Sequence, residues 1–318
     1  VRRSPERDQR GAIIDSLAPS ALFKSAAGEA AYMKAYEETL SLWDVPYTSS
    51  FVDTEFGRTH VLQAGPASAP ALVLLHGFGF GAGMWYPNVK AWSANHRVIA
   101  VDVVGEFNRT ITSRSLGAKQ HYVEWLSQVL DGLDVREAVF VGHSNGGWHA
   151  LNFAIRRPEK VAGLALLAPA ASFLNFSWQF PVRLITINVI RTRQTIIEFF
   201  GKWMLAKGNE IEPHLFEQFY QGIMHFGWKH KIVRPSRFSR EELAAVSAPG
   251  LFLVGDQEVI YSTEKAVRKV RELRPDFEVD VIPGAGHGLS VEQPEIVNAR
   301  VLEFLRTLNL AASDSATL

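Results

Sequence analysis

The chain reads as an α/β protein with a mostly parallel central sheet flanked by helices. Three observations predict this. Short, near-continuous Val/Ile/Leu/Ala runs recur at 71–75, 97–101, 138–141, 161–167, 251–254 and 278–282. Turn residues bound these runs, and segments of helical composition fill most of the gaps between them. A strand buried on both faces is apolar throughout, and a helix between two such strands is the crossover that parallel pairing needs.

The elements follow in order. Residues 20–43 are rich in Ala, Glu, Lys and Leu, with Tyr32, Tyr36 and Trp43 at near-helical spacing, so a helix is expected. Residues 49–54 and 58–64 alternate like strands around Glu55-Phe56-Gly57, a hairpin signal. From residue 71 the strand runs alternate with predicted helices at 122–133, 148–156, 263–273 and 296–308. The rhythm breaks over 172–243, which holds no strand pattern but many aromatics, Trp178, Phe199, Phe216 and Trp228 among them. About 70 residues are too many for a plain loop, so a helical lid inserted between sheet strands is expected. Most of its aromatics should pack it onto the core, and a few should line the cavity beneath. The expected organisation is an N-terminal helical extension at 1–47, a core at 48–171 and 244–310, the lid at 172–243, and a frayed tail at 311–318.

Composition narrows the function classes. The 318 residues carry 33 Lys+Arg against 33 Asp+Glu, a formal net charge of zero, with ten His and no Cys. The length allows one large domain with a subordinate insertion. The absence of Cys excludes disulfides, thiolate metal sites and a Cys nucleophile. Zero net charge argues against nucleic acid as the partner. The polar, charged start has no signal-peptide run. No stretch is long and apolar enough for an integral membrane segment; residues 180–190 come nearest, interrupted by Pro181, Arg183 and Asn188. A cytoplasmic location is expected, with secretion left open. The chain begins at Val1 rather than Met, which leaves either a trimmed chain or a mature form without its leader.

In open parallel sheets the chemistry sits beyond the carboxyl ends of the strands, and four motifs fall there. Gly142-His143-Ser144-Asn145-Gly146 joins a strand to a helix. So sharp a turn strains the Ser backbone and needs Gly two residues to either side, while the helix N-terminus aims N–H groups at developing negative charge. Leu74-Leu75-His76-Gly77-Phe78-Gly79-Phe80-Gly81 follows an earlier strand. Its glycines let the backbone approach the site. The N–H groups of Phe78 and Asn145 are the expected oxyanion donors, each worth about 3–4 kcal/mol in the transition state. A phosphate cradle would need Gly-Lys-Ser/Thr or a dinucleotide fingerprint, and this loop has neither. Gly284-Ala285-Gly286-His287-Gly288 follows the last strand and offers His287 as general base. Gly255-Asp256-Gln257-Glu258 follows the strand before it, and either Asp256 or Glu258 could orient His287; spacing alone does not choose between them. His76, Gly77, His143 and Trp178 are the expected pocket residues; His76 and His143 lie beside the site, where packing or hydrogen bonding around it is the other reading, and the remaining His are expected to be structural or exposed.

From about residue 48 to 308 the sequence resembles the α/β-hydrolase superfamily. The matching pieces are LLHGFG at 74–79, VIAVDVVG at 98–105, VGHSNGG at 141–147, FLVGDQEVI at 252–260 and GAGHGLSVEQP at 284–294, in the chain order nucleophile, acid, His. The family's Gly-x-x-Asp-x-Ile/Val pattern places the acid on Glu258, with Glu in place of Asp. The family's Pro-Asp-x-x-Gly-x-Gly is altered here, since Phe107 stands at the second Gly; Asp102 is expected to be structural. A Ser nucleophile resembles the esterase branch, and AYMKAYEETLSLW, FGRTHVLQAG and GDQEVIY are similar to bacterial carboxylesterases with a helical lid.

The resemblance implies an α/β-hydrolase fold and a serine hydrolase of carboxylic esters working through an acyl-enzyme, with no metal or organic cofactor. The aromatic lid suggests an apolar or aromatic small-molecule ester. Carbon–carbon bond hydrolysis, acyl transfer or perhydrolysis by the same triad, and a small-ligand receptor on the same fold, are the rivals. A homodimer stays open.

Overall fold

The computed structural model describes residues 22–315, with side chains through residue 308. Residues 1–21 of the expected N-terminal extension and 316–318 of the expected tail lie outside the described residues. In chain order the elements are α1 (Ala26–Leu40), β1 (Tyr47–Thr54), β2 (Gly57–Ala64), β3 (Ala71–Leu75), α2 (Tyr86–Ser93), β4 (Arg97–Val101), β5 (Ile111–Thr112), α3 (Lys119–Gly132), β6 (Ala138–His143), α4 (Asn145–Arg156), β7 (Val161–Leu167), α5 (Gln179–Val189), α6 (Arg193–Phe199), α7 (Pro213–His225), α8 (Arg240–Ala244), β8 (Gly250–Gly255), α9 (Thr263–Leu273), β9 (Glu278–Ile282), α10 (Leu289–Glu292) and α11 (Pro294–Ser315). Helix α11 runs on into the stretch expected to fray from 311.

Two compact units divide the chain: residues 1–136 with 212–234, and 137–211 with 235–318. The first holds β1–β5. β1 and β2 form the expected hairpin, but Thr54 pairs with Gly57, so Glu55-Phe56 is the turn and Gly57 already belongs to the strand. β2 pairs antiparallel with β4, and β4 pairs parallel with β3, residue 71 opposite 97 through 75 opposite 101. The two-residue β5 on β2 is too short to leave a sequence pattern. Trp85, Trp92 and Trp125 are fully buried in this unit.

Helix α1 is capped by Ser25, whose side chain accepts from Gly28 N–H at 3.1 Å. It buries Tyr32, Ala35, Tyr36, Thr39 and Leu40, the i, i+3, i+4, i+7 face of an amphipathic helix. The face packs on α7: Thr39 Oγ1 donates to His214 O at 3.0 Å, and Phe23 meets Phe226 edge-on at 5.6 Å. The stretch expected as one insertion is therefore shared between the units. Residues 212–234 pack with α1, because α7 buries Leu215, Phe216, Phe219 and Ile223 along one face.

The second unit is a parallel ladder. β6 pairs with β7, β7 with β8, and β8 with β9. β6 and β8 are buried at every residue, as their apolar runs predict. β9 departs from that reading: Val281 is 43% exposed, because the strand pairs on one side only among the described residues. Between β7 and β8 there are four helices and no strand among the described residues, with a single π turn at Phe200–Met204.

Candidate active site

Strand β6 ends at His143, and α4 begins at Asn145. Ser144 between them has φ +51° and ψ −112°, a left-handed conformation that costs an L-residue energy. The close turn explains the glycines. A Cβ on Gly142 would lie 2.5 Å from Gly146 O, and one on Gly147 would lie 2.9 Å from Gly142 O and from the Pro169 ring. Two backbone bonds hold the elbow: Ser144 N–H donates to Leu167 O at 2.9 Å, and Ala170 N–H donates to Ser144 O at 2.9 Å.

The Ser144 hydroxyl donates to His287 Nε2 at 2.8 Å, and His287 Nδ1–H donates to Glu258 Oε2 at 2.8 Å. His287 and Glu258 are both buried, and Ser144 is half-buried. Glu258 divides its oxygens. Oε1 accepts the N–H groups of Val259 at 2.7 Å and Ile260 at 2.9 Å, leaving Oε2 for the imidazole. The backbone bonds fix the longer Glu side chain so that it reaches His287. Asp256, the alternative, is exposed and braces the neighbouring loop by accepting Ala285 N–H at 3.2 Å.

The His287 loop is pinned from several sides. His287 N–H donates to Met204 O at 2.8 Å, and His143 Nε2–H donates to His287 O at 2.7 Å. Glu292 accepts from Gly286 N–H at 3.0 Å, Ala206 N–H at 2.7 Å and Asn209 Nδ2 at 2.8 Å. Glu292 falls within the GAGHGLSVEQP stretch, but nothing in that pattern marks it as the loop's brace, and Met204 contributes only a carbonyl. His143 hydrogen-bonds around the site, holding the His287 loop, with its ring 5.2 Å from that of His287.

The Gly-rich loop belongs to the first unit and is held by carboxylates. Gly77 N–H points at Met84 Sδ (3.2 Å), Gly79 N–H donates to Glu106 Oε2 (2.7 Å), Phe80 N–H donates to Gly77 O (3.2 Å), and Ala82 N–H donates to Asp102 Oδ1 (2.6 Å). The N–H of Phe78 has no acceptor among the described residues. Gly79 has φ +80°, and a Cβ there would lie 2.4 Å from the Phe107 ring, which is why the loop keeps Gly at this position.

His76 was expected to line the pocket with Gly77. It is wholly buried, accepting Val103 N–H at 2.9 Å and donating to Gly77 O at 2.9 Å, so its ring supports the loop from within. Trp178 also differs from expectation: it is 74% exposed at the head of α5. Its neighbours explain this, since Ser177 N–H donates to Ile260 O at 2.7 Å and turns the chain outward there.

Asp102 is structural, as expected. Beyond Ala82, it accepts from Tyr36 OH at 3.0 Å, His60 Nδ1–H at 2.9 Å and Arg109 N–H at 3.1 Å. Burial would raise its pKa, but the His60 hydrogen bond, the nearby imidazoles and the Ala82 N–H outweigh it and hold the carboxyl below its ordinary 3.8. Burial pushes His60 below its ordinary 6.5, against the pull of Asp102, and the ring stays neutral.

Residues 72–300 match the alpha/beta hydrolase family model. An uncharacterized carboxylesterase of Bacillus subtilis, nap, is 39% identical over 86% of this chain and 91% of its own length. The crystal structure of naproxen esterase (carboxylesterase NP) from Bacillus subtilis superposes with a TM-score of 0.82 at 38% identity, covering 89% of this chain and 99% of that one. The structure of carboxylesterase CesB (YbfK) from the same organism gives 0.83 at 33% identity, covering 88% and 99%.

Proposed function

The chain belongs to the alpha/beta hydrolase family and is a carboxylesterase-like hydrolase, and from that premise we propose how it works. Ser144 attacks the carbonyl carbon of a carboxylic ester while His287 Nε2 takes the hydroxyl proton. Glu258 keeps the imidazole in the Nδ1–H tautomer and stabilises its charged form. The tetrahedral oxyanion is held at the head of α4, where the N–H of Asn145 and the positive end of the helix dipole meet it. His287 then protonates the leaving alcohol, which departs and leaves an acyl-enzyme. The same imidazole deprotonates a water that attacks the acyl carbonyl, and the acid is released with Ser144 restored. The observation that carries this reading is the unbroken relay from Ser144 Oγ through His287 to Glu258, both bonds at 2.8 Å.

The substrate is an apolar or aromatic ester. The Phe78 ring stacks on Trp228 at 5.6 Å within the first unit, and the region around α5 and α6 joins Phe176, Phe180, Phe199 and Trp203 in one aromatic run. A structural relative bears the name naproxen esterase, so a naproxen ester joins the test panel. The helices between residues 172 and 243 act as the lid over that substrate. The test is hydrolysis of p-nitrophenyl esters of rising chain length by the native chain and by Ser144→Ala. Turnover that disappears in the variant supports the mechanism. Turnover that survives removes Ser144 from its role, and equal efficiency on aromatic and short aliphatic esters removes the substrate assignment.

A further inference from the structure

Helix α5 leaves an apolar face bare. Trp178, Val182, Ile185 and Val189 follow one another at i, i+4, i+7 and i+11, so they form a single stripe along the helix. Their exposures are 74%, 52%, 63% and 74%, and Ile190 beside them is 51% exposed. Scattered exposed aliphatics are ordinary, whereas a continuous stripe of large ones marks an interaction surface. The opposite side of α5 is the one that packs, with Ile187 only 1% exposed. The helix is also firmly held at its head. Ser177 N–H and Oγ donate to the carbonyls of Ile260 and Val259 at 2.7 and 3.0 Å, and Phe180 stacks on Trp203. The stripe is therefore presented on a fixed element.

The charge around it is mostly positive. Helix α5 contains no acidic residue. Between residues 172 and 211 the cations are Arg183, Arg191, Arg193, Lys202 and Lys207, against two carboxylates, Glu198, which pairs with Lys202 at 2.8 Å, and Glu210. Arg183 lies over the Trp203 ring at 4.9 Å, and Arg191 and Arg193 are exposed just past the end of the stripe.

We infer that α5 docks this protein on an anionic lipid bilayer. An apolar stripe headed by Trp, with arginines beside it and no acid, suits the boundary between headgroups and acyl chains. The lipid phosphates supply the negative charge that this face lacks. A second copy of the chain fits less well. An antiparallel two-fold contact centred on the stripe would bring Arg183 of one copy toward Arg183 of the other, with no carboxylate of α5 between them. The docking does not depend on the ester chemistry, so failure of one reading leaves the other standing.

Cosedimentation of the full chain with vesicles tests the assignment, using phosphatidylcholine alone and equal parts of phosphatidylcholine and phosphatidylglycerol. Binding to the mixed vesicles is expected to be at least about tenfold tighter, and to weaken as salt is raised. The difference in emission between the native chain and Trp178→Phe should shift to the blue on the mixed vesicles only. The triple variant Val182→Ser/Ile185→Ser/Val189→Ser should lose at least about tenfold in binding. It should keep its circular dichroism and its urea midpoint, because the three side chains are exposed. Equal partition onto both vesicles, or none onto either, overturns the proposal. So does a dimer in sedimentation that the triple variant dissociates, which would give the face to a second copy. Tighter binding to poly-glutamate than to the mixed vesicles, lost in the same variant, would give it to an acidic protein and overturn the lipid assignment as well.

Discussion

Ser144, His287 and Glu258 in the second unit are matched bond for bond by Ser49, His60 and Asp102 in the first. The serine–histidine distance is 2.8 Å in both, and the histidine–carboxylate distances are 2.8 and 2.9 Å. What differs is the setting of each serine. Ser49 lies within β1, on regular extended backbone whose register with β2 pairs residue 49 with 62 and residue 50 with 61. Ser144 sits instead on a strained turn at the head of α4, at the positive end of the helix dipole. The carboxylates differ too. Asp102 binds four separate segments together, through Tyr36, His60, Ala82 and Arg109, whereas Glu258 serves its own loop and one histidine. On the proposed mechanism a relay of hydrogen bonds is not enough for a nucleophile; the backbone around the serine must also receive negative charge.

The sharpest break between the two relays should come from removing each serine. Ser144→Ala is expected to lower kcat by about 10⁴- to 10⁶-fold with little change in stability. Ser49→Ala should leave kcat within about twofold and lower the unfolding free energy by about 1 kcal/mol. Steady-state kinetics and urea titration on both variants check this, and a large kcat loss in Ser49→Ala would erase the distinction. The acids come next. Glu258→Gln should lower kcat by about 10²- to 10⁴-fold, because the amide no longer favours the productive tautomer or the imidazolium. Asp256→Asn should change kcat by no more than about threefold, losing only a loop brace worth about 1 kcal/mol. If the two acids exchanged effects, the assignment of Glu258 would fall.

Asp102→Ala tests the structural relay from the other side. It leaves His60, Tyr36, Ala82 and Arg109 with donors aimed at nothing, in a site that is fully buried. Losing the acceptor of such a cluster should cost about 3–5 kcal/mol, read as a lower urea midpoint at unchanged m-value. Any fall in kcat should track the unfolded fraction, and a full-strength midpoint with depressed kcat would instead place Asp102 in the reaction.

The strands, the Gly-x-Ser-x-Gly elbow and the His287 loop were legible in the sequence because each follows from local chemistry. Apolar runs give buried strands, and glycines mark turns where a Cβ would collide. The choice between Asp256 and Glu258 was not legible from spacing, since it depends on Val259 and Ile260 taking up one carboxylate oxygen. That His76 and His143 could hydrogen-bond around the site was legible from their place in the motifs, but not which groups they would bond, because a histidine's partners are set by what folds against it. The Ser49–His60–Asp102 relay left no trace, its three members being scattered over β1, β2 and the end of β4. The insertion at 172–243 reads as uniformly aromatic, yet α7 buries its apolar face and α5 exposes one. Composition cannot separate those two outcomes, which are decided by whether a partner helix such as α1 is present.

The smallest effect expected lies in the pH dependence of stability. Burial holds His60 below its ordinary 6.5, so below that pH the unfolded chain binds a proton that the folded chain refuses. His96 is shifted the same way by burial. The stabilisation is complete above pH 6.5 and is lost as pH falls through the window between 6.5 and the lower folded values, so unfolding free energy rises with pH there. One such group contributes at most about 1.4 kcal/mol per pH unit. His60→Asn keeps a side-chain N–H for Asp102 and an oxygen for Ser49 but does not titrate. It should therefore be less stable than the native chain at pH 8 while losing less further stability below pH 6.5. Urea unfolding of both proteins across that range measures the two slopes. Equal slopes would mean that the buried imidazole titrates as it does in the unfolded chain, and that burial does not hold His60 neutral.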